Sequence, residues 1–132
     1  MTEFSWPVRV YYEDTDAGGV VFYANYLKFF ERARTELLRS LGFELDKMQR
    51  EDQVLFVVRS VQVDYLKPAR LDDLLAVSAT VIDYKKTSFT FAQAITKPAE
   101  HLCQATVRIA CIDAATLKPK LIPTAILELL SR

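Results

Sequence analysis

The sequence of 132 residues holds a single histidine, His101, and only two cysteines, Cys103 and Cys111. That scarcity removes several kinds of chemistry. Dyads and triads need a base beside the nucleophile, and His101 stands next to a proline-containing turn, where a surface or structural role is expected. A zinc site needs converging imidazoles and thiolates, whereas the two cysteines fall in one core-facing row. They share parity within a strand-like segment and so cannot bridge each other. They read as reduced, buried thiols of an intracellular protein.

Charge excess and long apolar runs are missing too. Seventeen basic residues balance seventeen acidic ones, which argues against a broad nucleic-acid footprint. The longest uncharged stretch, residues 17–27, falls short of the roughly 18–20 apolar residues of a membrane span. Glu3, Trp6, Pro7 and Arg9 interrupt the region where a signal peptide would carry its apolar core. A soluble, cytoplasmic protein is expected. Glycine is sparse, three in all, and forms neither a G-x-G-x-x-G nor a Gly-Lys-Ser/Thr phosphate loop.

What remains is a globular profile, 51% hydrophobic and 26% charged, at the length of one domain spanning 1–132. Residues 8–12 read as a strand. From 23 to 41 the period turns helical, with Tyr26, Leu27, Phe30, Ala33, Leu37, Leu38 and Leu41 on one side and Lys28, Glu31, Arg32 and Arg39 on the other. Gly42 is a stop signal. Residues 43–52 are polar and ambiguous, a short helix and loop. Strands follow at 54–66, 74–84, 88–96 and 102–113, with Lys85 and Lys86 as a turn. In the last strand Cys103, Ala105, Val107, Ile109 and Cys111 alternate with Gln104, Thr106 and Arg108, the mark of a half-solvated antiparallel strand. Residues 125–130 suggest a terminal helix. One long helix with one antiparallel sheet gives an α+β architecture in which the sheet must curl around the helix.

The chemistry concentrates in YYEDTDAGGVVFYANY, residues 11–26, where Glu13, Asp14 and Asp16 precede Gly18 and Gly19. Calcium fits poorly: Asp14, Asp16 and Gly19 match an EF-hand loop, but Asn25 stands where a bidentate Glu is needed. Another arrangement makes physical sense. The helix near Tyr23 follows a lead-in, Val20-Val21-Phe22, without a capping side chain. Its first N–H groups are then free for developing negative charge; Asn25 is the alternative, a late cap. The glycines can fold the Asp16 carboxylate back toward that helix end. A base or nucleophile facing an oxyanion site is the minimum for acyl-transfer hydrolysis. The competing reading is an ordinary acidic turn.

The stretch VRVYYEDTDAGGVVFYANYLKFFERARTE resembles the hotdog-fold acyl-CoA thioesterases of the 4-hydroxybenzoyl-CoA thioesterase type. Within them it is most similar to the YbgC-like subgroup associated with the Tol–Pal system. The signature D-x-D-x-x-G-V-V-[YF]-x-x-x-Y runs from Asp14 to Tyr26, and FVVRSVQVDYLKPARLDD continues the similarity. The resemblance implies an antiparallel sheet wrapped around one long helix, homodimers with sites at the subunit interface, and pairing into homotetramers. It implies acyl-CoA hydrolysis without a cofactor, with Asp16 as the catalytic carboxylate and the Tyr23 backbone N–H polarising the thioester carbonyl. Lys85 and Lys86 match basic residues near the coenzyme A phosphates. Glu31 stands where some relatives have an acid and is a candidate contact to the substrate or to the residues around it, although a helix-surface charge is the simpler reading of it. Many sequences of the subgroup carry His where this chain has Tyr23. Acyl carrier protein is a second conceivable carrier. Two other readings stay open: a hotdog hydratase or dehydratase, which would use a catalytic His, and a non-catalytic acyl-binding or scaffold module.

Overall fold

A computed structural model describes residues 3–130; residues 1, 2, 131 and 132 of the expected 1–132 domain lie outside the described residues. The elements are β1 (Phe4–Arg9), a 3₁₀ turn (Tyr12–Asp14), α1 (Asn25–Ser40), α2 (Leu45–Asp52), β2 (Val54–Tyr65), β3 (Leu74–Tyr84), β4 (Ser88–Lys97), β5 (Glu100–Asp113) and α3 (Thr124–Leu130). The five strands form one antiparallel sheet in the order β1-β3-β4-β5-β2. Helix α1 packs against β1 and β3, so the half of the sheet toward β2 extends past it. This is the α+β hotdog arrangement the resemblance implied.

Helix α1 buries Tyr26, Phe29, Phe30, Ala33, Leu37 and Leu38. Phe29 is fully buried and Leu27 is 39% exposed, so the buried stripe is rotated slightly from the expected one. The reason is the one-sided position of the helix: its second flank faces an open furrow rather than the sheet. Below it, Phe89 packs edge-to-face on Phe56 and Phe91, both at 5.4 Å between ring centres. Each such ring withdrawn from water stabilises by roughly 1.5–3 kcal/mol. The alternation expected in β5 holds: Cys103, Ala105, Val107, Ile109 and Cys111 are all buried. Burial pushes the Cys103 thiol up to about 12 and raises that of Cys111 as well.

Both ends of α1 follow from local sequence. Gly42, at φ +96°, lets Phe43 donate to the Leu38 carbonyl at 2.9 Å and Gly42 to that of Arg39 at 3.0 Å. This is a Schellman closure. The first strand differs from expectation, running Phe4–Arg9 rather than 8–12. Residues 12–14 leave extended geometry because the Asp14 carboxylate accepts the Tyr11 N–H at 2.8 Å and the Thr15 hydroxyl donates to the Tyr12 carbonyl at 2.7 Å. Such local side-chain bonds compete with a ladder. Pro7 is accommodated because β1 is an edge strand.

Candidate active site

The acidic turn is a tight hairpin. Thr15 bridges Val21 in antiparallel fashion, the Asp16 N–H donates to the Val20 carbonyl at 2.9 Å, and Gly19 donates to that of Asp16 at 3.1 Å. Gly19 has φ +79°, a conformation that glycine adopts without a steric cost. The Asp16 carboxylate accepts the Gly18 N–H at 2.8 Å. One carboxylate edge is thereby fixed by the turn, while the residue stays exposed.

A second strap holds this hairpin. Val20 bridges Arg70, Val21 donates to the Ala69 carbonyl at 2.8 Å, and the buried Tyr26 hydroxyl accepts the Ala69 N–H at 2.9 Å. Burial raises the Tyr26 phenol above its usual range. The helix start is tied to the same turn. The Asp14 carbonyl accepts from Phe22 N–H at 2.9 Å and from the Asn25 side-chain amide, also at 2.9 Å. Asn25 therefore fastens the helix to the loop and does not act as a late cap. Helix α1 has no side-chain cap at its start. Among the described residues, no acceptor takes the N–H of Tyr23 or of Ala24.

Tyr23 itself lies just ahead of α1, two residues before the expected helix start becomes regular. The residue is 63% exposed, and its ring stands edge-on to Tyr65 at 6.3 Å. The Tyr65 hydroxyl donates to the Tyr23 carbonyl at 3.2 Å, which orients the peptide whose N–H belongs to Ala24. Tyr65, Tyr26 and Ala69 were not foreseen as site residues. The sequence signals for them were the signature that ends at Tyr26 and the similarity of residues 56–73, which holds Tyr65 and Ala69.

Asp16 and Tyr23 thus belong to one hairpin and helix start at one end of the sheet, Asp16 paired with Val20 and Tyr23 following Phe22, which is tied to Asp14. The other expected residues lie elsewhere. Glu31 is exposed on α1, its carboxylate accepting the Thr35 hydroxyl at 3.5 Å. Lys85 and Lys86 form the turn after β3, where Lys85 donates to the Ser88 carbonyl at 2.7 Å. The eleven residues of β3 separate that turn from the Asp16 strap by on the order of 35 Å. Within one chain, the lysines and Asp16 sit at opposite ends.

Between α1 and β2 runs an apolar furrow. Its main part, a cavity of about 380 Å³, is lined by Leu27, Phe30, Arg34, Val58, Val61 and Val107. A hollow of about 280 Å³ beside Tyr23, Tyr26 and Tyr65 lies at the Asp16 end. A larger hollow, about 530 Å³, sits on the outer face of the sheet among polar residues such as Gln62, Thr80 and Gln104. His101 is exposed there, its ring 3.2 Å from the Gln104 amide oxygen, and takes no part in the Asp16 site. No helix among the described residues is long and apolar enough to cross a membrane.

A hotdog sheet with a carboxylate turn at the start of its central helix defines a thioester-handling class. Residues 18–104 match the Thioesterase superfamily, and the chain belongs to that family. Among individual proteins it is similar to the Haemophilus influenzae acyl-CoA thioesterase YbgC, with 50% identity over 91% of this chain and 88% of the relative. It is 47% identical to the Escherichia coli O6:H1 acyl-CoA thioester hydrolase YbgC, over 95% of this chain and 93% of that one. Among solved structures, a probable thioesterase from Bartonella henselae superposes with a TM-score of 0.89 at 34% identity, covering 92% of this chain and all of the other.

Proposed function

We propose that this chain hydrolyses acyl-CoA thioesters to free acid and coenzyme A, with Asp16 as the reacting carboxylate and the Tyr23 N–H as oxyanion donor. What supports this reading is an oriented, exposed Asp16 carboxylate on the same hairpin that leads into an uncapped helix start with unused N–H groups. As general base, Asp16 takes a proton from water as the water oxygen attacks the thioester carbonyl. The tetrahedral oxyanion forms against the helix end and collapses with loss of coenzyme A thiolate, which is then protonated. As nucleophile, Asp16 itself attacks, thiolate leaves, and water hydrolyses the mixed anhydride. Both routes need the same oxyanion donor, and one such donor is worth about 2.7–4 kcal/mol of barrier.

The assembly belongs to the same reading. Strand β2 is an edge strand of twelve residues that exposes Val57, Val58 and Val61 by 38–52%. A long apolar edge of this kind invites pairing, and a second copy is its natural occupant. In an antiparallel homodimer, itself a building block for a tetramer, Lys85 and Lys86 of one subunit act on coenzyme A bound at the other subunit's Asp16. The furrow receives the acyl group, with Glu31 at its rim. One sheet and one core running through the described residues support a single domain, and a cytoplasmic location is part of the same proposal.

The test is release of free thiol from a panel of acyl-CoAs, with acyl carrier protein thioesters alongside. Wild type turns over acyl-CoA, and Asp16→Asn, which keeps size but loses basicity, lowers turnover at least ~100-fold. Folded Asp16→Asn at near-normal rate removes Asp16 from the mechanism. Binding without any thiol release identifies an acyl-binding module instead.

A further inference from the structure

Under the furrow the β3–β4 ladder opens. Val77 pairs with Ile95 and Thr80 with Ala92, but no pair closes between them. Side chains fill the gap. The Ser78 hydroxyl accepts the Ala94 N–H at 3.0 Å. The Gln93 amide nitrogen donates to the Ser78 carbonyl at 3.2 Å and to the Phe30 carbonyl of α1 at 3.0 Å. Gln93 is 3% exposed and both its N–H bonds are used. Its amide oxygen is thereby turned toward the helix, where it accepts Arg34 Nη1 at 3.0 Å.

Arg34 brings five N–H donors and no acceptor. Among the described residues, that single bond to Gln93 is its only hydrogen bond, and no carboxylate lies within ion-pair distance of it. Arg34 lines both the main furrow cavity and the adjoining one of about 120 Å³, with Phe30, Val58, Val107, Phe91 and Ile109 among the walls and Glu31 common to both. Burial lowers its pKa, a shift that Glu31 partly opposes. Arg34 is half-buried and its remaining donors are not among the buried atoms left without a partner, so water can reach them, and an acyl oxygen seated in the furrow would take that water's place through charge-assisted bonds.

We infer that Arg34, oriented from below by Gln93, selects acyl groups that carry an oxygen function, hydroxyl or carboxylate, at the end remote from the thioester. The inference rests on the hydrolytic reading above. The seven steps from Tyr23 to Phe30, whose carbonyl marks the level of Gln93, span roughly 10 Å along the helix direction. A short acyl chain with its carbonyl at the helix start therefore brings its far end to Arg34. A carboxylate would gain the stronger, charge-assisted bond, whereas the neighbouring Glu31 favours a neutral hydroxyl.

The experiment compares kcat/KM of the full-length protein for hexanoyl-, 6-hydroxyhexanoyl- and adipoyl-CoA, in wild type and Arg34→Met. Wild type prefers at least one oxygenated substrate over hexanoyl-CoA by at least ~10-fold, because a site built to hydrogen-bond an oxygen rejects the analogue lacking it. Which one it prefers separates hydroxyl from carboxylate. Arg34→Met brings that ratio close to one. Hydrolysis of all three by wild type without preference overturns the inference alone, as does an unchanged preference in folded Arg34→Met. Absence of hydrolysis on any acyl-CoA overturns the parent reading with it. Should Arg34→Met fail to fold, the wild-type preference decides.

Discussion

Tyr23 separates main chain from side chain more cleanly than any other residue of the site. The residue is mostly exposed, whereas its N–H stands at the uncapped helix end. Tyr23→Phe removes only the phenol oxygen and should keep most activity. Tyr23→Pro removes the donor, and proline is tolerated in a first helical turn; here the first N–H used by the turn is that of Asn25, on the Phe22 carbonyl. The expected result is a folded, assembled protein with kcat lowered on the order of 100-fold or more. A folded Tyr23→Pro enzyme at wild-type rate would remove the oxyanion role. Asp14→Asn is the matching control: its carboxylate serves the Tyr11 N–H, which an amide oxygen can also accept, so the loss should be smaller than for Asp16→Asn. The hairpin and uncapped helix start that carry Asp16 and Tyr23 were legible because acids, glycines and a missing cap lie within a few residues of each other. Arg34 and Gln93 were not. They meet across 59 residues of sequence, and no periodicity encodes such a meeting.

At the level of elements, the hairpin carrying Asp16 is the sensitive part. Gly18 has no positive φ, but a Cβ there would lie 3.3 Å from the Asp16 carboxylate oxygen. Gly18→Ala should leave the fold intact and crowd the carboxylate, lowering kcat roughly 10-fold while KM changes little. An unaltered kcat would show that the carboxylate position is not critical. The turn after β3 makes the opposite demand. Replacing Lys85 and Lys86 together by Ala should raise KM for acyl-CoA and flatten its dependence on ionic strength, with kcat nearly constant. Identical salt profiles would leave those lysines as a solvated turn. Strands β2 to β5 were readable to within a residue or two, since Pro68, Pro98 and the paired lysines punctuate strong β-formers. The first strand was misjudged because Tyr11 and Tyr12 look like strand residues, while Asp14 and Thr15 bend their backbone through bonds that pattern alone does not reveal. Helix α1 was found, but its buried stripe was off by one flank, because sequence cannot say that the helix covers only part of the sheet.

For the whole molecule, buried protons set the alkaline limit. Burial raises the Cys103 thiol from 9.0 to about 12 and also lifts Tyr26 and Tyr65. Hydrogen bonding to Asp73 raises Lys97. A raised folded pKa means that above pH 9 the unfolded chain holds fewer protons than the folded one. The associated stability is complete below pH 9 and drains away as pH climbs toward about 12. Urea midpoints measured from pH 7 to 11 should fall on the alkaline side, and Cys103→Val, which has no thiol to ionise, should fall less steeply. Equal slopes would mean that Cys103 contributes nothing to this limit. The fold class at this scale was legible, since one helix and one sheet leave few ways to bury both. The distance between Asp16 and the two lysines was not, because it follows from strand direction rather than composition.

The two borders of the sheet are unequal. On β1 the rim residue Pro7 has no N–H to offer a further strand, while β2 on the other border is long, apolar and open. In the language of polymer chemistry, the proposed dimer makes each chain a monofunctional monomer. When two copies join β2 to β2, the coupling consumes the only reactive end on either side and leaves proline-blocked rims facing outward. Such a reaction has a degree of polymerisation of two at any concentration, so concentrating the protein enriches the pair without seeding a fibre, and larger assemblies must be built through faces instead of borders.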